Sequence, residues 1–202
     1  KDIEALIAAE NLDLVLANKN SHTQGVLSGS TQEIDRANTL CKQKKMRGIK
    51  LPVAAAFHSR LVEKAAAPFK EDIANKQIVP TGIEVLSNTT GGLYPSEPGR
   101  IKELLGNQLM HPVNFIDNIE QMSKKGVSTF VEVGPKAVLT GLVKSILKEK
   151  NITALSLDGS SGKRSGLEDL ANVLCTLAAK GFRVDLTQWE DRAEQPKAKK
   201  MR

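Results

Sequence analysis

Aromatic residues are scarce in this chain, and their scarcity excludes one class of partner. Aromatic side chains make up only 3% of the 202 residues, too few for a surface on which nucleic-acid bases stack. The basic residues behind the net charge of +6 are concentrated in KQKKMR and KAKKMR, whereas a nucleic-acid surface interleaves them with aromatics on one face. The sequence therefore predicts no nucleic-acid partner.

Cysteines and long apolar runs are also rare. Cys41 and Cys175 stand far apart, each in a segment with helical periodicity, which favours two buried, reduced thiols. No Cys/His spacing matches a metal site, no apolar run approaches the ~20 residues of a membrane span, and no signal-peptide pattern is present. We therefore expect a cytoplasmic protein with no bound metal and no membrane association.

The first part of the chain has the pattern of a small α/β unit. Periodicity predicts an opening helix, strands in LDLVLAN and GVLSG, a helix from Ser30, and a third strand in RGIKLPVA. Ser30 and Glu33 have the spacing of a capping box. Preceded by one more strand, residues 1–56 would have the order of a split ferredoxin-like unit, in which that first strand is central.

Beyond residue 57, helices alternate with strands, which is typical of an α/β layer. Strands are predicted in GIEVLSN, STFVEVG and ITALSLDG, the second apolar enough for a buried parallel sheet. Helices are predicted over residues 61–74 with Pro68 inside, in RIKELLGNQLM, in HPVNFIDNIEQMSKKG with Pro112 near its first turn, in PKAVLTGLVKSILKEK from Pro135, and in SGLEDLANVLCTLAAKG, ended by Gly181. TGGLYPSEPG is predicted to be a loop.

His58 is the residue whose position most suggests chemistry. It follows the predicted third strand and precedes a predicted helix, at the kind of strand edge where catalytic groups gather in open α/β sheets. A neutral imidazole there can act as a general base towards a serine or cysteine. The alternative is a histidine that only satisfies hydrogen bonds at a strand–helix junction. A base needs a nucleophile, and the chain contains no G-x-S-x-G motif.

Four stretches, in order, resemble the acyl-CoA:acyl-carrier-protein transacylase family, the acyltransferase domains of fatty acid and polyketide synthases. They are LANKNSHTQGVLSG, LPVAAAFHSRLVEKAAAPF, NQLMHPVNF and FVEVGPKAVLTGLVKSIL. The resemblance implies a hydrolase-like α/β parallel-sheet core with a ferredoxin-like small subdomain. On this basis we expect the small subdomain over 1–56, the carboxyl-terminal part of the core over 57–181, and a linker or tail over 182–202.

The resemblance also implies a reaction. In this family a serine takes an acyl group from coenzyme A and passes it to the phosphopantetheine thiol of an acyl carrier protein. The expected partners are thus acyl-CoA and acyl carrier protein, with no permanently bound cofactor. The family's G-H-S-x-G serine, an arginine for dicarboxylic acyl groups and an oxyanion-hole glutamine precede the region that resembles this chain. We therefore expect a complementary N-terminal segment that carries the serine, and essentially no activity without it.

Five site residues follow from the resemblance. His58 matches the general base, and Gln108 the residue whose backbone carbonyl orients the imidazole, as an aspartate does in a Ser-His-Asp triad. Phe57 matches a position where phenylalanine accompanies malonyl units and serine accompanies methylmalonyl units. Asn18 and Asn20 match a segment that lines the cleft between the subdomains. The structural alternatives are a polar helix end for Gln108, core packing for Phe57, and turn formation for the two asparagines.

Two residues depart from the family pattern. Ala55 stands where the malonyl-type tetrad usually begins with histidine, which leaves the acyl group open. Lys136 replaces the second glycine of a G-P-G turn, a segment interpreted as structural. Two other functions stay open beside the enzyme. One is a catalytically inactive docking or binding module with the acyltransferase shape. The other, a free-standing ferredoxin-like binder of ligands or nucleic acids, is disfavoured because residues 57–180 continue the order of the family.

Overall fold

The computed structural model describes residues 2–53 and 55–187. Its contacts divide the chain into two compact units. The first consists of residues 1–128 and 142–152, and the second of residues 129–141 and the chain from Thr153 onward. The subdomain boundaries predicted after residues 56 and 181 stay predictions, and most of the predicted linker or tail lies outside the described residues.

The first unit begins with four elements in the predicted order. They are α1 (Asp2–Ala9), β1 (Leu14–Ser21), β2 (Gln24–Gly29) and α2 (Thr31–Gln43). β1 and β2 form an antiparallel hairpin, and apolar side chains from the helices and the hairpin bury one another. The buried cluster consists of Leu6, Leu12, Leu14 and Ala37. Because removing apolar area from water is the main favourable term in folding, this cluster is what holds the hairpin against its helices.

Only half of the predicted capping box of α2 forms. The Ser30 hydroxyl accepts a hydrogen bond from the Glu33 backbone N–H at 3.3 Å. The Glu33 carboxylate, however, accepts from the backbone N–H of Asp13 at 2.9 Å, and not from Ser30. Glu33 thus joins α2 to the residue just before β1, a contact across 20 residues that local spacing cannot reveal.

The third strand predicted in RGIKLPVA does not form. Residues 47–53 form neither helix nor strand, and the Val53 N–H bonds back to the Leu51 carbonyl at 2.9 Å. Ile49, Leu51 and Val53 are 66%, 51% and 65% exposed. The physical reason is that a strand exists only where a neighbour pairs with its backbone groups. Within the part of the chain that the structure describes, no strand pairs with this segment.

The rest of the first unit consists of short strands and three helices. A 3₁₀ turn (Arg60–Val62) leads into α3 (Glu63–Asn75), followed by β3 (Leu86–Ser87), β4 (Gly92–Leu93), α4 (Pro98–Asn107) and α5 (Phe115–Lys124). The strand predicted in GIEVLSN shrinks to the two residues of β3, which pair antiparallel with β4 inside the predicted loop. Helix α5 begins at Phe115, later than the predicted segment that starts at His111, so Pro112 lies outside the helix.

The second unit contains β5 (Thr129–Glu132) and β6 (Thr153–Ser156), which pair in parallel, and α7 (Gly166–Ala179). Ser165 and Glu168 form a complete capping box before α7, and Gly181 follows it with φ +85°, as a C-terminal glycine stop requires. The burial predicted for β5 is wrong, since Val131 is 40% exposed in a sheet of only two described strands.

Helix α6 (Val138–Ile146) begins later than predicted. Its predicted start at Pro135 is wrong because Lys136 adopts a left-handed conformation with φ +67°, which a right-handed helix cannot include. The boundary between the two compact units falls within this helix.

The two cysteines differ in exposure. Cys41 is half-buried and packs against the apolar cluster of the first unit, whereas Cys175 is exposed on α7, which corrects its predicted burial. No helix among the described residues is long and apolar enough to cross a membrane. Across residues 2–53 and 55–187, no group of three or more His, Cys, Asp or Glu side chains could hold a metal ion.

Candidate functional site

The backbone of His58 has an unusual conformation. Its φ is +61°, a left-handed value that few residues other than glycine adopt. The next residue, Ser59, is 2% exposed. Its hydroxyl donates to the Ala56 carbonyl at 2.6 Å and accepts from the Leu61 backbone N–H at 3.3 Å. These two bonds close a tight turn around His58 and fix the direction in which its side chain leaves the chain.

The imidazole of His58 lies against backbone carbonyls that follow α4. Nδ1 is 3.0 Å from the Gln108 carbonyl oxygen and 3.0 Å from that of His111. The backbone N–H of His58 donates to the Leu109 carbonyl at 2.9 Å. Because a carbonyl oxygen can only accept, Nδ1 must carry the proton. Nε2 of the neutral ring then holds the lone pair, which is the tautomer of a general base.

The carbonyl segment itself is fixed at both ends. At one end, the Gln108 N–H donates to the Leu105 carbonyl at 3.1 Å, which continues the last turn of α4. At the other end, the Val113 N–H donates to the Ala17 carbonyl at 2.8 Å, and the Val113 carbonyl accepts from Lys19 at 3.0 Å. Segment 108–113 thus connects the histidine turn to β1.

Asn18 lies at this junction. It forms a parallel bridge with Val113, and a register irregularity separates it from Leu16 in the pairing with β2. Such a bulge bends a strand and redirects the side chains beside it. Asn20 is half-buried two residues farther along the same strand.

The structure brings together some of the predicted residues more closely than others. His58 and Gln108 are in direct contact, and Asn18 reaches the same segment through its backbone. Phe57 is adjacent to His58 in the chain and 50% exposed. Within the described residues, no hydrogen bond joins the side chain of Asn18 or Asn20 to His58. Their functional roles stay predictions.

Sequence reasoning missed several groups that support this site. They are the Ser59 hydroxyl, the Leu109 and His111 carbonyls, and Thr89. Thr89 donates from its hydroxyl to the Gln108 side-chain oxygen at 2.8 Å. The available signal for Thr89 was the polar run SNTT, which ends the predicted strand GIEVLSN and continues past it, since short polar side chains at the end of a strand commonly hydrogen-bond to nearby backbone. Nothing in the sequence indicated that this loop faces a residue 19 positions later.

An apolar cavity of about 520 Å³ lies elsewhere in the first unit. Residues 78–85 and 93–96 line it, together with Ile101 and Leu105 of α4. None of the predicted site residues lines this cavity. His58 is therefore a candidate base that backbone carbonyls hold outside this cavity.

Comparison with known proteins identifies the family. The model of the acyl transferase domain family matches residues 2–179. The chain is 35% identical over 157 residues to the malonyl CoA-acyl carrier protein transacylase of Bacillus subtilis, covering 77% of this chain and 49% of that protein. It is 38% identical over 139 residues to PksC, the polyketide biosynthesis malonyl CoA-acyl carrier protein transacylase of the same organism, covering 68% of this chain and 48% of that protein.

Solved structures give the same result. The malonyl CoA-acyl carrier protein transacylase of Clostridium perfringens superposes with a TM-score of 0.77 at 32% identity, covering 89% of this chain and 55% of that one. The likeness confirms the predicted fold class, an α/β hydrolase-like core with a ferredoxin-like subdomain. The chain spans about half the length of the transacylases that it matches. By sequence and by fold, the chain belongs to the acyl transferase domain family.

Proposed function

We propose that this chain is the histidine-bearing part of a malonyl-type acyltransferase, which moves acyl groups from coenzyme A to an acyl carrier protein. The observation that carries the proposal is the contact of His58 Nδ1 with the Gln108 and His111 carbonyls, each at 3.0 Å. It supports a ring whose Nε2 is free to take a proton. Membership of the acyl transferase domain family adds the class of reaction.

The proposed reaction has two half-reactions with balanced proton transfers. In the first, His58 Nε2 takes the proton of a serine hydroxyl while the serine oxygen attacks the thioester carbonyl. The tetrahedral intermediate collapses, and His58 returns that proton to the departing coenzyme A thiolate. In the second, His58 takes the proton of the carrier's phosphopantetheine thiol, the thiolate attacks the acyl-serine, and the serine oxygen leaves with the proton.

The carbonyls have a defined role in both half-reactions. When Nε2 is protonated, the ring carries a positive charge, and the carbonyl dipoles of Gln108 and His111 stabilise it through Nδ1–H. This does the orienting work of a triad aspartate without burying a negative charge, which would itself cost free energy.

The substrate-binding roles are part of the proposal. Phe57, directly before the base, would occupy the space that an α-methyl group needs and so favour malonyl units. A steric difference of one methyl group is worth only about 1–3 kcal/mol, so Phe57 biases the choice between acyl groups. Asn18 and Asn20 would line the cleft that receives the acyl group. Their place on β1, tied to segment 108–113, supports this role.

The serine would come from a complementary segment with a G-H-S-x-G motif, because the 202 residues contain no such motif. The test is intact mass spectrometry of the natural protein, under denaturing conditions, after incubation with malonyl-CoA. We expect the serine-bearing polypeptide to gain one malonyl group.

His58→Ala should slow formation of this adduct about 10³-fold or more, since loss of a general base removes most of the rate of a Ser–His pair. His22→Ala is the matched control, because His22 is exposed in the β1–β2 hairpin beside Glu120 and should load at the wild-type rate. A protein that never gains an adduct would contradict the enzyme proposal and leave the docking module. Equal loading by the His58 variant would contradict the role of the base.

A further inference from the structure

We propose that Thr89 is a positioning residue for this site, because its hydroxyl holds the Gln108 side chain and thereby the carbonyl that orients His58. The inference rests on the proposed function, since it concerns how the base is kept in its working tautomer. Thr89 Oγ1 lies 2.8 Å from Gln108 Oε1, and the backbone oxygen of Gln108 lies 3.0 Å from His58 Nδ1. Thr89 therefore holds the Gln108 side chain, while the backbone carbonyl of Gln108 accepts a hydrogen bond from His58.

The Thr89 hydroxyl has one proton and two acceptors within reach. Gln108 Oε1 lies at 2.8 Å, and the Leu104 carbonyl lies at 3.4 Å. Hydrogen bonds donated by hydroxyl groups are strongest at donor–acceptor distances of about 2.7–2.8 Å and weaken beyond about 3.0 Å. The proton therefore goes to Gln108, and the bond is partly buried, where water competes less for either partner.

The loop around Thr89 is itself rigidly attached. The Thr89 N–H donates to the hydroxyl of Ser87 at 3.2 Å, and Ser87 is 0% exposed. The Thr89 carbonyl accepts from the Asn114 side chain at 2.9 Å, and the Asn88 carbonyl accepts from the Asn114 N–H at 2.9 Å. Asn118 donates to the Asn88 side-chain oxygen at 2.8 Å. These bonds fix the position of the Thr89 hydroxyl independently of its bond to Gln108.

Gln108 is a poor choice for stability alone. Its side-chain Nε2 is buried and, among the described residues, has no hydrogen-bond partner. An unsatisfied buried donor is destabilising, and an apolar side chain of similar length would avoid that penalty. The bond that the amide does make is the one to Thr89. Buried polar groups without hydrogen-bond partners are found chiefly at functional sites. This is consistent with a role of the Gln108 side chain in fixing its own backbone.

The effect of losing this bond should be partial. The Nδ1–H of His58 has a second acceptor in the His111 carbonyl at 3.0 Å, and the Leu109 carbonyl still holds the His58 backbone at 2.9 Å. Without the Thr89 bond, the Gln108 carbonyl keeps only its backbone restraints, and the ring spends part of its time misaligned. Misplacement by a fraction of an ångström corresponds to a loss of about 10-fold in rate.

The test compares Thr89→Val, which removes the hydroxyl at nearly constant shape, with Thr89→Ser, which keeps it. Both are made in the natural protein, and kcat and KM are measured for malonyl loading from malonyl-CoA. We expect the valine variant to lose about 10-fold in kcat with KM within about twofold, and the serine variant to stay close to wild type. A general loss of folded protein would not be rescued by serine in this way.

A second readout does not depend on activity. Nitrogen-15 NMR of the His58 ring reports which nitrogen carries the proton, and the Nδ1–H tautomer should dominate in the wild type and in Thr89→Ser. In Thr89→Val, we expect the signals to shift towards a mixture of tautomers. If the wild-type protein loads no malonyl group, the proposed function fails, yet these signals still decide the role of Thr89.

Gln108→Met provides an independent variant that removes the other partner of the bond and keeps the backbone carbonyl. It should show the same loss of kcat and the same change in ring signals, with a free energy of unfolding no lower than the wild type. The double variant with Thr89→Val should lose no more than either single variant, because both remove one interaction. Wild-type ring signals and kcat within about twofold in these variants would overturn the proposal. So would a serine variant as impaired as the valine variant.

Discussion

At the scale of single residues, His58 and Lys136 share a left-handed backbone, with φ of +61° and +67°, for different reasons. The His58 conformation is enforced by the buried Ser59 hydroxyl and by the Leu109 carbonyl, and it delivers the ring to its carbonyls. Strain retained in this way is common at functional sites. Lys136 stands where the family resemblance places glycine. Its conformation is therefore strained, and none of the contacts at the His58 site involves it.

Lys136→Gly should therefore stabilise the protein. Glycine enters the left-handed region freely, and relief of the penalty on a residue with a Cβ, about 1–2 kcal/mol, exceeds the about 0.4–1 kcal/mol of extra entropy that glycine gives the unfolded chain. The Lys136 backbone N–H, which donates to Asp158 at 2.6 Å, is retained. We expect a gain of about 0.5–1 kcal/mol in the free energy of unfolding, measured by urea denaturation.

Lys144→Gly is the matched control, since it removes the same charge from an exposed position inside α6. There glycine should cost about 1 kcal/mol. If both variants lost stability to the same extent, the argument from the Lys136 backbone would be wrong.

At the scale of elements, the first turn of α6 is stabilised by a carboxylate from β5. Glu132 accepts from the Leu139 N–H at 3.0 Å and the Thr140 N–H at 2.7 Å. Burial alone would raise the pKa of Glu132, but the hydrogen bonds from Thr140 and Leu139 outweigh it and hold that pKa below its ordinary value. A depressed carboxyl pKa stabilises the fold above the pKa of the unfolded chain and ceases to do so as the pH falls through the folded value.

Glu132→Gln should therefore flatten the acid side of the stability profile. The variant should be less stable than wild type at about pH 7, and the difference should shrink as the pH falls below about 4.5. Thermal unfolding between about pH 7 and pH 3 measures this. Glu149→Gln, on an exposed side chain, serves as the control and should follow the wild-type curve. A constant difference between Glu132→Gln and wild type at every pH would contradict the assignment.

The elements also show what the sequence could reveal. Helices with caps and apolar stripes, such as α2 and α7, were predicted close to their observed bounds, because periodicity and capping are local signals. The carboxyl-terminal stop at Gly181 was predicted for the same reason. The start of α6 was not, since the Lys136 conformation depends on the Asp158 carboxylate 22 residues away. The contact of His58 with Gln108 was expected from family resemblance alone, and the Thr89 bond was not expected at all.

At the scale of the whole molecule, the segment shortly before His58 has exposed apolar side chains and no strand partner among the described residues. Ile49, Leu51 and Val53 alternate as in a strand and are all more than half exposed, and no described strand pairs with them. An unpaired segment with exposed apolar side chains can become a strand when another strand pairs with it. If a serine-bearing segment completes the acyltransferase, we expect it to pair with this segment.

Hydrogen exchange tests that pairing directly. In the 202-residue chain alone, the backbone amides of residues 48–51 should exchange at nearly the rate of an unfolded peptide, because a segment without a strand partner offers little protection. When the serine-bearing segment is added and malonyl loading appears, these amides should slow by about 10-fold or more, as ladder hydrogen bonds form. The amides of α7, which has its own capping box and lies in the second unit, serve as the internal reference and should keep their rates. Restored loading with unchanged exchange at 48–51 would show that the serine-bearing segment joins the chain elsewhere.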